Sequence, residues 1–186
     1  RQITALVKPR HKVIAVDCDN TLWKGVCGED GPDGVELTPA HLELQRLLIR
    51  QHDAGVLLCL CSKNNEVDVA GVFARRAEMP LREEHVICSR VNWSAKSENL
   101  RSLAEELGLA LDSFILIDDS AMECAEVQAH CPAVLTLQMP QTQEQIAHFL
   151  NHTWAFDRIE VTADARRRTE QYRGHAPEAA ASPALA

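Results

Sequence analysis

Asp17 and Asp19 stand two residues apart in Asp17-Cys-Asp19-Asn-Thr21, directly after the apolar run 13–16. In extended chain that spacing turns both side chains the same way. Two close carboxylates repel unless a proton or a cation separates them. An oxygen-rich cluster with few protein ligands suits Mg²⁺, which keeps room in its shell for a substrate phosphate. Ser62 follows the apolar run 56–61, and the pair Asp118 and Asp119 follows the run 114–117. Each alone is ordinary, because strands commonly end at polar residues. Together they place acidic and hydroxyl groups where an open parallel sheet binds ligands, beyond the carboxyl ends of its strands.

The elements that must carry these residues follow from the hydrophobic pattern. Short apolar runs at 13–16, 56–61, 85–88, 114–117 and 133–137 alternate with helical patterns, as in a parallel sheet with crossover helices. Thr38 and Pro39 form a cap with proline in the first turn, leading a Leu44, Leu47 and Leu48 stripe that stops before Gly55. Further helices are expected at 65–77, from a Ser94 cap to Gly108, at 121–130 and at 141–152. The expected fold class is α/β, a three-layer sandwich around a Rossmann-like parallel sheet. The spans 18–61 and 63–95 leave no room for a large cap domain. Residues 1–173 are read as one catalytic domain, and 174–186 as an Ala- and Pro-rich linker or tail. A start at Arg1 instead of Met reads as a domain cut from a longer chain.

Composition narrows the classes. The 186 residues carry 19 basic and 27 acidic side chains, a net charge of −8, which disfavours nucleic acid as a partner. No apolar run is long enough to cross a bilayer, so no membrane partner is expected. The one dense basic run, Arg166 to Arg168, reads as solvated helix surface. Seven cysteines show no paired CxxC spacing and read mainly as small buried hydrophobes in a reducing, cytoplasmic setting. The eight histidines read as scattered, with no pair at metal-ligand spacing.

The strand-end residues resemble the four motifs of the haloacid dehalogenase (HAD) superfamily. Asp17-x-Asp19-x-Thr21 resembles the first, Ser62 the second, Lys96 at a helix start the third, and Asp118-Asp119-x-x-x-Glu123 the fourth. A closer resemblance, over roughly residues 11–173, is to the FkbH-like branch that serves polyketide assembly lines. It rests on Thr21-Leu-Trp-Lys-Gly-Val-Cys-Gly-Glu-Asp-Gly31, Cys61-Ser-Lys-Asn-Asn65 and Asn92-Trp-Ser-Ala-Lys96, and less specifically on 154–158 and 162–168. Where related members often continue the fourth motif as Asp-Asp-Asn-Pro, this chain has Ser120 and Ala121 after the acidic pair.

The resemblance implies a Mg²⁺-dependent glyceryl transferase and phosphatase. Such an enzyme takes glyceryl from 1,3-bisphosphoglycerate, removes phosphate, and loads the acyl group on the phosphopantetheine arm of an acyl carrier protein. It implies Asp17 as nucleophile and metal ligand, and Asp19 as general acid and base with its backbone carbonyl on the metal. Ser62, Lys63, Asn64 and Lys96 would hold substrate, and Asp119, supported by Asp118, would complete the metal shell. A glyceryl thioester calls for a thiol. Strand alternation points Cys18 and Cys61 away from the acidic pair, whereas glycine neighbours should leave Cys27 accessible, so Cys27 is favoured and Cys18 comes second. Trp23 and Trp93 read as packing residues that fix two loops. The alternatives are a phosphatase acting on a small molecule or phosphoprotein, and a non-catalytic docking module.

Overall fold

In a computed structural model, residues 11–156 are described. Five strands form one parallel sheet: β1 (Val13–Val16), β2 (Leu57–Ser62), β3 (Val86–Val91), β4 (Phe114–Asp118) and β5 (Leu135–Gln138). Their order is β3-β2-β1-β4-β5, with β1 in the centre. Val13 to Val16 pair with Leu57 to Leu60 on one side and with Phe114 to Ile117 on the other. β1, β2 and β4 are buried along their whole length. That burial on both faces explains their unbroken apolar runs, because helices cover each side of a parallel sheet.

The helices are α1 (Cys27–Asp30), α2 (Pro39–Asp53), α3 (Glu66–Arg75), α4 (Lys96–Glu106), α5 (Ala121–His130) and α6 (Gln143–His152). Ile14, Val16, Leu58, Leu60, Ile115 and Ile117 pack with Leu44 and Leu48 of α2, Val69 and Val72 of α3, and Ile146 of α6. On the other face, Val13, Ala15, Leu57, Phe114 and Leu116 pack with Leu100 and Leu103 of α4 and Val127 of α5. The alternation of neighbouring β1 residues between two cores is the period-two geometry of a strand. The result is a three-layer, doubly wound α/β core. Between β1 and β2 the chain holds only α1 and α2, and between β2 and β3 only α3 and a short 3₁₀ turn, so no cap domain interrupts it.

Several boundaries differ from expectation. α2 begins as read, with the Thr38 side chain accepting from the His41 N–H and Pro39 in the first turn. α4 is not capped by Ser94: the Asn92 side chain accepts the Ser94 N–H, and the helix starts one residue later, with Ala95 at its N-cap. The third strand runs three residues further, to Val91, because its partner β2 extends through Ser62. The glycine-flanked stretch around Cys27, expected to be accessible, forms the short helix α1. The basic run at 166–168, the boundary at 173 and the tail at 174–186 lie outside the described residues.

Leu48 has no solvent exposure and joins α2 to the sheet. Leu48→Ala should therefore cost about 2–5 kcal/mol, whereas Val67→Ala on exposed α3 surface should stay within about 0.5 kcal/mol. Urea unfolding of both variants checks this; equal effects would contradict the packing described.

Candidate active site

Chain direction across the sheet reverses at β1, since β2 and β3 extend to one side and β4 and β5 to the other. The crevice at such a reversal is where ligands bind in this architecture. Asp17 leaves the end of β1 with its N–H still bonded to the Ile117 carbonyl at 2.9 Å, and Asp118 ends β4 beside it. Asp17, Asp118 and Asp119 each bring a carboxylate oxygen to within 4.8 Å of the others. The Asp119 N–H donates to the buried Thr21 hydroxyl at 3.2 Å, and the Ser120 N–H donates to Asp118 at 2.9 Å. These bonds fix the turn that holds the acidic pair.

Lys96, the first residue of α4, reaches into this crevice with 2% of its surface exposed. Its ammonium donates to Asp17 Oδ1 at 2.8 Å and to Asp118 Oδ2. Burial alone would strip the Lys96 proton, but the Asp17 and Asp118 carboxylates outweigh it and hold the pKa above the usual lysine value. Burial raises Asp17 to about 6, an effect that Lys96 opposes and Asp118 reinforces, while Ser62 hydrogen-bonds its carboxylate. Burial, with the Asp118 charge, also raises Asp119. Three acidic groups thus face one ammonium. An all-oxygen donor set with surplus negative charge fits a small hard divalent cation such as Mg²⁺; Asp17, Asp118 and Asp119 would hold it.

Asp19 belongs to a neighbouring network. Its Oδ1 accepts from Trp23 Nε1 at 2.8 Å and from the Cys27 N–H at 3.0 Å, and its Oδ2 accepts from Asn64 Nδ2 at 2.6 Å. The loop that brings Cys27 here depends on Gly25, at φ 105°, where an added Cβ would meet Asp30 Oδ2 at 2.7 Å. Trp23 is fully buried and meets Phe73 edge-on, with ring centroids 6.2 Å apart. It packs as expected, and its indole N–H also fixes Asp19, a role that nothing in its spacing signalled.

Other expectations need correction. Cys27 is 1% exposed, not accessible, because the loop closes as α1 against α3 and packs the thiol into the core. Burial, then the Asp19 charge, pushes that thiol up to about 12, and Asn64 Nδ2 donates to its sulfur at 3.2 Å. Asn64, expected against substrate, spends its amide on Asp19 and Cys27. Cys18 lies in the same apolar core as Ile14 and Val16, its thiol pushed well above its usual value by burial and then by Asp17. Lys63 pairs with Glu123 Oε1 at 3.0 Å. Trp93 is 69% exposed and only tethered, its Nε1 donating to Asn65 Oδ1 at 3.0 Å. The histidines are not all scattered either: His148 and His152 lie one turn apart on α6, with ring centroids 4.2 Å apart.

No protein-family model matches the chain, and no curated protein matches it. Solved structures do. The N-terminal part of protein BF1531 from Bacteroides fragilis, containing a phosphatase domain and complexed with Mg, aligns with TM-score 0.74 at 28% identity. That alignment covers 81% of this chain and 41% of that one, so the chain spans about two fifths of that relative's length. HAD family enzyme bt-2542 from Bacteroides thetaiotaomicron, in complex with magnesium and inorganic phosphate, aligns with TM-score 0.53 at 13% identity, over 70% of this chain and 95% of that one. A HAD-like phosphatase from Mesorhizobium loti aligns with TM-score 0.52 at 16% identity, over 80% and 87%. The chain therefore has the fold of HAD-type phosphatases.

Protonated Asp17 is a poorer ligand, so a cation must displace that proton at low pH. Mg²⁺ affinity should hold above pH 6 and fall on acidification toward pH 5, by up to about tenfold per unit for one displaced proton. Calorimetric titration at stepped pH reads this, and an affinity that rises or stays constant contradicts it. Lys96→Met should destabilise the metal-free protein by about 3–5 kcal/mol, because it leaves buried carboxylates facing each other. Denaturant unfolding decides, and a loss under 1 kcal/mol (about one pKa unit or less) would contradict the buried bridge.

Proposed function

We propose that the chain is a Mg²⁺-dependent phosphatase in which Asp17 attacks phosphorus. The observation that carries this is the buried bridge from Lys96 to Asp17 and Asp118, with Asp119 alongside, at the switch point of the sheet. A bound Mg²⁺ would neutralise phosphoryl oxygens and ease the approach of an anionic nucleophile. Asp17 acts as its carboxylate, which predominates above about pH 6. Ser62 and Lys96 border that carboxylate and hold phosphoryl oxygens, Lys96 offsetting charge as it develops. Asp19 gives a proton to the leaving oxygen and later takes one from water. Asn64, Trp23 and the Cys27 N–H keep its carboxylate in place. Lys63, tethered to Glu123 and about one-third exposed, binds the outer part of the substrate.

The resemblance to FkbH-like proteins supports a finer reading. The substrate would be 1,3-bisphosphoglycerate, the partner an acyl carrier protein with its phosphopantetheine arm, and the setting the cytoplasm. Among the described residues no helix is long and apolar enough to cross a membrane. The uncapped mouth suits a substrate presented on a long arm. In this reading the Cys27 sulfur attacks the acyl carbon of the mixed anhydride and phosphate leaves, so that an acyl–sulfur bond replaces the acyl–oxygen bond. Burial and the Asp19 charge keep that thiol protonated. Asp19, in contact with it, is the group placed to accept the proton, and the Gly25–Cys27 loop must open to admit substrate. Cys18, shut in the core, is the second choice.

Asp17→Asn should abolish Mg²⁺-dependent release of phosphate from an aryl phosphate, and Lys96→Ala should lower the rate by about 10²–10³-fold. Undiminished hydrolysis in Asp17→Asn sinks the phosphatase reading. Incubation with 1,3-bisphosphoglycerate followed by intact mass measurement tests the finer one. Cys27→Ala should lose the glyceryl adduct and carrier loading while keeping aryl phosphate hydrolysis. Normal loading by Cys27→Ala alongside failure of Cys18→Ala would move the thiol to Cys18.

A further inference from the structure

We propose that His148 and His152 form a second metal site, on α6, for a borderline transition cation such as Zn²⁺. The two residues are one helical turn apart, so their side chains leave the same helix face. Both are exposed, and their rings lie 4.2 Å apart, tilted by 44°. Imidazoles one turn apart on a helix can share one ion, each through a nitrogen at about 2.0–2.1 Å, once the two rings swing apart. They border a hollow of about 490 Å³ with Pro140, Gln145, Phe149 and Thr153, which leaves room for solvent to complete the coordination shell.

The end of α6 is held firmly enough to keep that spacing. Thr153 closes the helix, donating from its N–H and its hydroxyl to the Phe149 carbonyl at 3.1 and 2.6 Å. Phe149 meets Phe156 edge-on at 6.1 Å, and the Phe156 carbonyl accepts from Gln51 Nε2 of α2 at 2.9 Å. Imidazole selects Zn²⁺, Cu²⁺ or Ni²⁺, whereas Mg²⁺ selects carboxylate and water oxygens. The two sites therefore sort cations by ligand chemistry. They also lie apart in the fold, because α6 runs back from the carboxyl end of β5 and carries the histidines in its second half. The α6 site is independent of the phosphatase reading, and its natural effect is to clamp the last turn of α6.

Untagged protein titrated with ZnCl₂ in excess Mg²⁺ tests this by calorimetry. One equivalent should bind, and His148→Ala and His152→Ala should each weaken it by at least about tenfold. Zinc should also raise the melting temperature of the native chain but of neither variant, which separates chelation from a merely structural role. Should either variant prove unstable without metal, His148→Gln supplies the same comparison. No zinc uptake, or uptake equal in native and variant proteins, overturns the proposal, the latter by assigning the metal to thiols or carboxylates elsewhere.

Discussion

The ion bridge from Lys96 to Asp17 and Asp118 sets the terms for everything around it. Three carboxylates converge where β1 and β4 end, two of them buried and the third partly so, and mutual repulsion there would drive the turns apart. The ammonium relieves that repulsion, while burial, with the Asp118 charge adding to it, still raises Asp17 and Asp119. Surplus negative charge in a largely buried crevice favours a small hard divalent cation. The architecture supplies the rigidity: β1 is paired on both sides, β2 and β4 are buried end to end, and α4 starts at the residue that must reach inward.

A second layer of restraint surrounds Asp19. Its carboxylate accepts from Trp23, Cys27 and Asn64, which come from the first loop and from the end of β2. Groups contributed by two separate segments converge on one side chain, so its orientation is over-determined. In the proposed reaction that placement would favour proton transfer, because a general acid held at the right angle loses little in reaching its partner. The same convergence buries Cys27, tying loop closure to the state of the thiol.

Much of this was legible in the residue order. Continuous apolar runs announced strands covered on both faces, and the Thr38 and Pro39 pair announced the start of α2. The polar residues at strand ends announced the crevice, because a doubly wound sheet gathers those ends in one place. Cys27 was misread because neighbouring glycines suggested openness, whereas Gly25 serves a tight turn that folds the cysteine inward. Trp93 was misread because tryptophan is usually buried, yet here the chain leaves edge strand β3, beyond which the described residues form no further strand. Ser94 and Ala95 differ by one residue as helix starts, a distinction set by the Asn92 side chain that composition does not register. The spacing of His148 and His152 was present in the residue order all along, and ring proximity gave it meaning.

The central position of β1 has a consequence for how the chain is made. This strand leaves the ribosome among the first described residues, but its partners are β2 and, much later, β4. Until Phe114 to Asp118 emerge, one edge of Val13–Val16 has no strand to pair with, and its acidic neighbour Asp17 lacks Asp118 beside it. Pairings so distant in sequence close slowly, and an unpaired apolar edge is prone to stray contacts while it waits. The first half of the molecule is thus a hydrophobic nascent chain that depends on the second half for completion. Premature termination between α3 and β4 would release a product with an open sheet and half of a charge cluster, well suited to capture by chaperones.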